Sequence, residues 1–235
     1  MVIIKTGDSI PTLVARRGDF EDWIIAGLEK SRPFSGSVVA VFRGEDPPDL
    51  DRINGILVTG SHAMVTDRAD WSERTAAWLK QAVARGIPVL GICYGHQLLA
   101  HALGGKVGYL ADGPEYGTVP LALTAVAAGD PLFGTLPQGA GVQTSHYQSV
   151  TELPAGAVLL ARSDKDPHIA FRYGPCAWGV QFHPEYDGEI AQAYLDEYRK
   201  GLKGKVVSLP GPCWDTPTGG VILARFAELV AGGAG

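Results

Sequence analysis

The sequence predicts an α/β protein: an open, mainly parallel sheet with helices on both faces and antiparallel additions in its second half. Two observations carry this. Short apolar, β-branched runs recur, and amphipathic stretches of helical period separate them. A run without polar alternation suits a strand buried on both faces, and strand, helix, strand, helix is the order a parallel sheet requires.

The elements follow in order. VIIK at 2–5 is the first strand, SVVAVF at 37–42 the second, GILVTG at 55–60 the third and IPVLGI at 87–92 the fourth. Residues 19–30 and 70–85 are helices, the latter placing Trp71, Ala76, Trp78, Leu79 and Val83 roughly at helical spacing. After Gly104 and Gly105 the texture changes. Strand-like pieces at 120–124, 157–161, 168–173 and 177–182 are broken by Gly, Pro and Asp, which predicts antiparallel additions. Helix returns at 188–200 and near 219–230. No repeat, low-complexity block or linker interrupts the chain, so residues 1–235 are expected to form one domain.

With 46% hydrophobic and 19% charged residues the chain has the balance of a folded protein, and its net charge of -5 leaves no basic excess to grip phosphate backbones or anionic lipid. Nucleic acid and membrane surfaces are not expected partners. The start, MVIIKTGDSI, has too short an apolar run for a signal-peptide core or a membrane span. Three widely spaced cysteines, Cys93, Cys176 and Cys213, fit a reducing compartment better than a disulfide framework. The protein is therefore expected in the cytoplasm.

The pattern that carries chemistry is GICYG at 91–95, set between a buried-type strand and the helical segment HQLLAHAL. Strand, sharp turn and helix are the setting of a nucleophile elbow, whose flanking glycines leave the turn room. The bland reading of Cys93 is a small buried hydrophobe, as most free cysteines are. At a helix amino terminus, however, partial positive charge stabilises a thiolate, and the N–H of Tyr94 is placed to donate to an oxyanion.

Such a nucleophile needs a base. Of the six histidines, His96 and His101 fall on the following helix as packed or solvent-facing residues, and His168 in KDPHIA is expected at a surface turn. His183 in GVQFHPEY ends an apolar strand. Residues two apart in an extended segment share a face, and Pro184 biases His183 toward extended geometry. Glu185 can then hold one imidazole nitrogen and aim the other at the sulfur, the logic of nucleophile, base and orienting carboxylate. Cys93 and His96 also read as C-x-x-H, but no second ligand pair accompanies them, so neither metal nor cofactor is expected. Cys176 and Cys213 default to packing.

With GICYGHQLL and FHPE both in view, the chain resembles the class I, triad-type glutamine amidotransferases, and among them the glutaminase portion of GMP synthases. The likeness runs from about GILVTG to HPEY. It implies a flavodoxin-like sheet and a catalytic triad of Cys93, His183 and Glu185. It further implies that Gly60 supplies an oxyanion-hole N–H alongside Tyr94, and that Gln97 contacts the substrate. SHYQSV at 145–150 resembles the loop that grips the α-amino and α-carboxylate groups of glutamine, which assigns substrate contacts to Ser145, His146, Tyr147 and Gln148. His146 is expected to organise that loop rather than to act as a second base. Many relatives carry a small glycine where this chain has Tyr147, a change that narrows or reshapes the amino-acid pocket.

The implied reaction is acyl transfer to sulfur. Cys93 attacks the side-chain amide of glutamine, ammonia leaves, and water hydrolyses the γ-glutamyl thioester. Relatives deliver the ammonia to a synthetase, yet no P-loop or similar phosphate-binding signature occurs and only two helical stretches follow HPEY. A separate synthetase subunit is the first expectation. The alternative is a free-standing γ-glutamyl hydrolase or peptidase with the same triad, and a third reading is a non-catalytic regulatory module.

Overall fold

The computed structural model describes residues 1–202 and 211–232. The chain opens with strand β1 (Val2–Lys5), helices α1 (Pro11–Arg17) and α2 (Phe20–Leu28), and strand β2 (Ser37–Ala40). Strand β3 (Ile56–Val58), helix α3 (Asp70–Ala84), strand β4 (Val89–Ile92) and helix α4 (Tyr94–Ala102) complete the alternating half. Eight strands follow: β5 (Lys106–Tyr109), β6 (Glu115–Pro120), β7 (Ala122–Leu123), β8 (Gly141–His146), β9 (Gln148–Glu152), β10 (Ala157–Arg162), β11 (Ala170–Tyr173) and β12 (Ala177–Val180). Helices α5 (Gly188–Gly201) and α6 (Pro217–Gly232) come last.

The central sheet runs β2-β1-β3-β4-β12-β11-β10-β7. Its first five strands are parallel, and β11, β10 and β7 continue it antiparallel. Taking β12 as the fifth parallel strand gives the 2-1-3-4-5 order of flavodoxin-like sheets, whose ligand sites lie beyond the strands' carboxyl ends. Two antiparallel pairs, β5-β9 and β6-β8, stand beside the sheet.

The period of two along each strand divides the core. Ile3, Leu57 and Leu90 pack with Ile24 and Leu28 of α2 and Ile222 and Phe226 of α6. Val2, Ile4, Ile56, Val58 and Val89 pack on the other side with Ala76 and Leu79 of α3 and Leu98 and Leu99 of α4. The apolar runs of the sequence are thus consumed on two faces at once, each buried Leu or Ile contributing about 1.5–3 kcal/mol.

Some expectations needed correction. The run 37–42 leaves the sheet after Ala40 and turns as a short 3-10 segment over Val41–Arg43. Helix α1 was not expected from its seven residues; Pro11 in its first turn and Gly18 at its end, with φ 80°, define it. The stretch 145–150 is not an extended loop but the meeting of β8 and β9, with Tyr147 alone between them. His168 is half-buried rather than on the surface, its Nδ1 lying 2.7 Å from the Val150 carbonyl oxygen.

Glycines 91 and 95 are required by close approach. A Cβ at 91 would stand 2.3 Å from the Gly95 carbonyl oxygen, and one at 95 would stand 2.5 Å from that of Val58. Because backbone cannot yield as a side-chain tip does, Gly95→Ala is expected to destabilise the fold by ~2–3 kcal/mol, read as a lower urea midpoint at unchanged m-value. Among the described residues no helix is long and apolar enough to cross a membrane.

Candidate active site

Strands β4 and β12 are parallel neighbours, with Ile92 opposite Val180. Their carboxyl ends reach the same edge of the sheet, so the residues that follow them meet: Cys93 after β4, His183 shortly after β12.

Cys93 caps α4 with φ 51° and ψ -101°. A side chain seldom takes that region, and holding it there costs ~1–3 kcal/mol that the surrounding packing must offset. The turn is pinned by the Cys93 N–H, which donates to the Val180 carbonyl at 2.9 Å. The thiol is only 6% exposed, yet it lines a cavity of about 580 Å³.

His183 is held from several sides. Its N–H donates to the Gln143 carbonyl at 2.8 Å, and its Nδ1 lies 2.7 Å from Glu185 Oε1 with both side chains buried. The Tyr186 ring stacks on the imidazole at 4.0 Å, and Phe20 lies 6.1 Å away. Burial alone would lower the His183 pKa, but the Glu185 carboxylate and Cys93 favour the imidazolium and push it up to about 10. The stability linked to this proton is whole below the ordinary value of 6.5 and is lost as pH rises through about 10.

Gly60 closes the group. A Cβ there would stand 2.9 Å from His183 Cε1 and 3.7 Å from Cys93 Cβ, so the backbone itself abuts both residues. Among the described residues no backbone carbonyl accepts from the N–H of Gly60 or of Tyr94.

The remaining expected residues divide by role. Gln97 donates through Nε2 to the Gln148 carbonyl at 2.8 Å and to Gln181 Oε1 at 3.0 Å, so both amide protons are engaged within the protein. His146 is buried, with Nδ1 3.1 Å from the Gln148 carbonyl oxygen and Nε2 3.3 Å from Glu115 Oε2. It ties the β8-β9 turn to β6. Behind it, Ser163 donates to Glu115, and the buried Asp166 accepts from the Ser149 hydroxyl and the His168 N–H. Burial raises the Asp166 pKa against the opposing pull of His146.

Ser145, Tyr147 and Gln148 face the cavity. Gln148 donates to Thr66 Oγ1 at 2.8 Å, while its buried Oε1 has no hydrogen-bond partner among the described residues. Tyr147 is 41% exposed, its ring 5.9 Å from that of Tyr116 and 6.2 Å from that of Tyr198. Tyr116, Tyr194, Tyr198 and His62 also line this cavity and carry no motif that would single them out. Tyr186 could have been found, because it directly follows HPE. Among the described residues no side chain hydrogen-bonds to the fully buried His96, whose ring lies 5.1 Å from that of Phe171, and burial drives its pKa down to about 3, which keeps it neutral. Among the described residues no three His, Cys, Asp or Glu side chains gather as metal ligands.

Comparison with known proteins shows the family. Gamma-glutamyl peptidase 5 of Arabidopsis thaliana is 34% identical over 199 residues, which span 83% of this chain and 78% of that protein. The glutamine-hydrolyzing GMP synthase of Porphyromonas gingivalis is 40% identical over 185 residues, 78% of this chain; the chain spans only 33% of that protein's length. A solved glutamine amidotransferase from Thermotoga maritima superposes with a TM-score of 0.75 over 97% of each chain at 21% identity, a likeness of fold. The family model for glutamine amidotransferase class-I matches residues 23–197, and with it the chain belongs to the class I glutamine amidotransferase family.

Proposed function

We propose that the chain is a cysteine-dependent amidase that hydrolyses the side-chain amide of glutamine and releases ammonia to an acceptor on a separate protein. The observation that carries the reading is the buried His183–Glu185 pair at 2.7 Å, set beside the cysteine of a strained strand-to-helix elbow.

In this reading the Cys93 thiolate attacks the amide carbon, and the carbonyl electron pair moves onto oxygen between the N–H groups of Gly60 and Tyr94. Each such donor lowers the barrier by ~3 kcal/mol. Collapse breaks the C–N bond, and the His183 imidazolium hands its proton to departing ammonia. The neutral imidazole then takes a proton from water, which attacks the thioester and frees glutamate and the thiolate. Glu185 keeps the Nδ1 proton in place and stabilises the imidazolium without accepting its proton. Gln97 and His146 hold the Gln148 carbonyl from two sides, and Ser145, Tyr147 and Gln148 form the wall that takes the amino-acid end of the substrate. We take the protein to work in the cytoplasm, where its three free thiols stay reduced.

A second reading has its own support. A cavity of about 580 Å³ is of a size that takes drug-sized ligands, so the ten heavy atoms of glutamine leave part of it free. A larger γ-glutamyl amide fits the remainder, in keeping with the likeness to a protein named gamma-glutamyl peptidase 5.

The test compares ammonia release from glutamine with cleavage of γ-glutamyl dipeptides by the purified chain, with and without cell extract. Glutaminase activity that rises on adding extract is the result expected of a subunit with a separate acceptor. A higher kcat/KM on dipeptides, unchanged by extract, selects the free-standing hydrolase. Hydrolysis of neither substrate contradicts both.

A further inference from the structure

The N–H of Gly60 can serve an oxyanion only if the Thr59–Gly60 peptide is held one way round. That peptide is trans, so the direction of the Thr59 carbonyl fixes the direction of the Gly60 N–H. The carbonyl is anchored twice: the Gly95 N–H donates to it at 3.2 Å, and the Thr6 hydroxyl lies 3.0 Å away.

Thr6 follows β1 and is 1% exposed; its neighbour across the strands, Thr59, is fully buried. The two hydroxyls have one proton each, and the surrounding acceptors decide where they go. The Thr6 N–H donates to Thr59 Oγ1 at 3.0 Å, which leaves the Thr59 hydroxyl proton for the Gly60 carbonyl at 2.9 Å. The Thr6 hydroxyl has three acceptors in reach, the Gly60 carbonyl at 2.9 Å, the Thr59 carbonyl at 3.0 Å and Thr59 Oγ1 at 3.2 Å, and of these the Thr59 carbonyl is the one that the Thr59 hydroxyl does not itself serve. Thr6 is itself tied in place, because the Ser61 hydroxyl donates to its carbonyl at 2.8 Å. Turning the peptide over would strip the Thr59 carbonyl of both donors in a buried setting, where unpaired polar groups are costly.

We propose that Thr6 is a positioning residue for the reaction: through the Thr59 carbonyl it holds the Gly60 N–H toward the place of the developing oxyanion before substrate arrives. This rests on the amidase reading above and adds to it a residue outside both motifs. Valine has threonine's shape without the proton, and serine keeps the hydroxyl.

The experiment measures kcat and KM on the best γ-glutamyl amide for the unaltered chain, Thr6→Val and Thr6→Ser, together with the rate of Cys93 alkylation by iodoacetamide. Alkylation needs the thiolate and its base but no oxyanion hole. Thr6→Val is expected to lower kcat by roughly tenfold, less than the loss of a donor itself, with KM and alkylation within about twofold of the unaltered chain. Thr6→Ser should recover most of kcat. A Thr6→Val kcat within twofold of the unaltered chain overturns the inference, as does a parallel fall in alkylation, which would mark general distortion. If the unaltered chain is active, these outcomes leave the amidase reading standing; if it cleaves no γ-glutamyl amide, both fall.

Discussion

Cys93→Ala is expected to lower γ-glutamyl amide hydrolysis by ~10⁴-fold or more while leaving the fold intact, since removing the nucleophile of a triad leaves only binding and oxyanion stabilisation. The elbow makes this a clean substitution. Alanine keeps the Cβ, so it meets the same backbone demand at φ 51° and the same N–H to Val180 contact. Only the sulfur is lost, from a residue that borders the core on one side and lines the cavity on the other. Circular dichroism and the urea midpoint should therefore match those of the unaltered chain, with iodoacetamide labelling of position 93 abolished. Retained hydrolysis would leave the elbow as packing.

Glu185→Gln should cost ~10²–10⁴-fold in kcat, by the same reasoning that makes an orienting carboxylate more than a spacer. The amide is the same shape, but it can turn an N–H toward Nδ1 and stabilise the wrong tautomer, and it removes a charge that favours the imidazolium. The sign of the pH effect follows. Because Glu185 and Cys93 raise the His183 pKa to about 10, ammonia departure can draw on a protonated imidazole across neutral pH, and the rate falls as pH rises through that value. Without the Glu185 charge the alkaline limb moves to lower pH. A profile that keeps its limb, or a limb that moves upward, would show that the pair does not govern the titration. Among the described residues Glu185 Oε2 has no hydrogen-bond partner, so the substitution creates no conflict there on its far side.

Much of this was legible in the residues. The runs at 2–5 and 87–92 have no polar alternation and can only be buried on both faces, which fixes the parallel half of the sheet and therefore which ends of the strands carry the elbow and HPE. What the sequence could not supply was lateral order: that β12, last of the strands, lies against β4 is a long-range pairing no local period encodes. The β8-β9 turn was misread as a loop because Ser, His, Gln and Thr give it no apolar signature, and its strands are held by tertiary bonds to Gln97, Glu115 and Thr66. Thr6 was invisible for a related reason. A threonine after a strand is ordinary until the peptide it holds is seen to abut Cys93 and His183.

The measurement that tests the central claim most directly is acid-quenched mass mapping of the chain during turnover of a γ-glutamyl amide. A γ-glutamyl adduct on the peptide carrying Cys93, removed by hydroxylamine with formation of γ-glutamyl hydroxamate and absent in Cys93→Ala, is the predicted result. Hydrolysis that proceeds at full rate in Cys93→Ala, with no acyl group on Cys93 at any time, would contradict it.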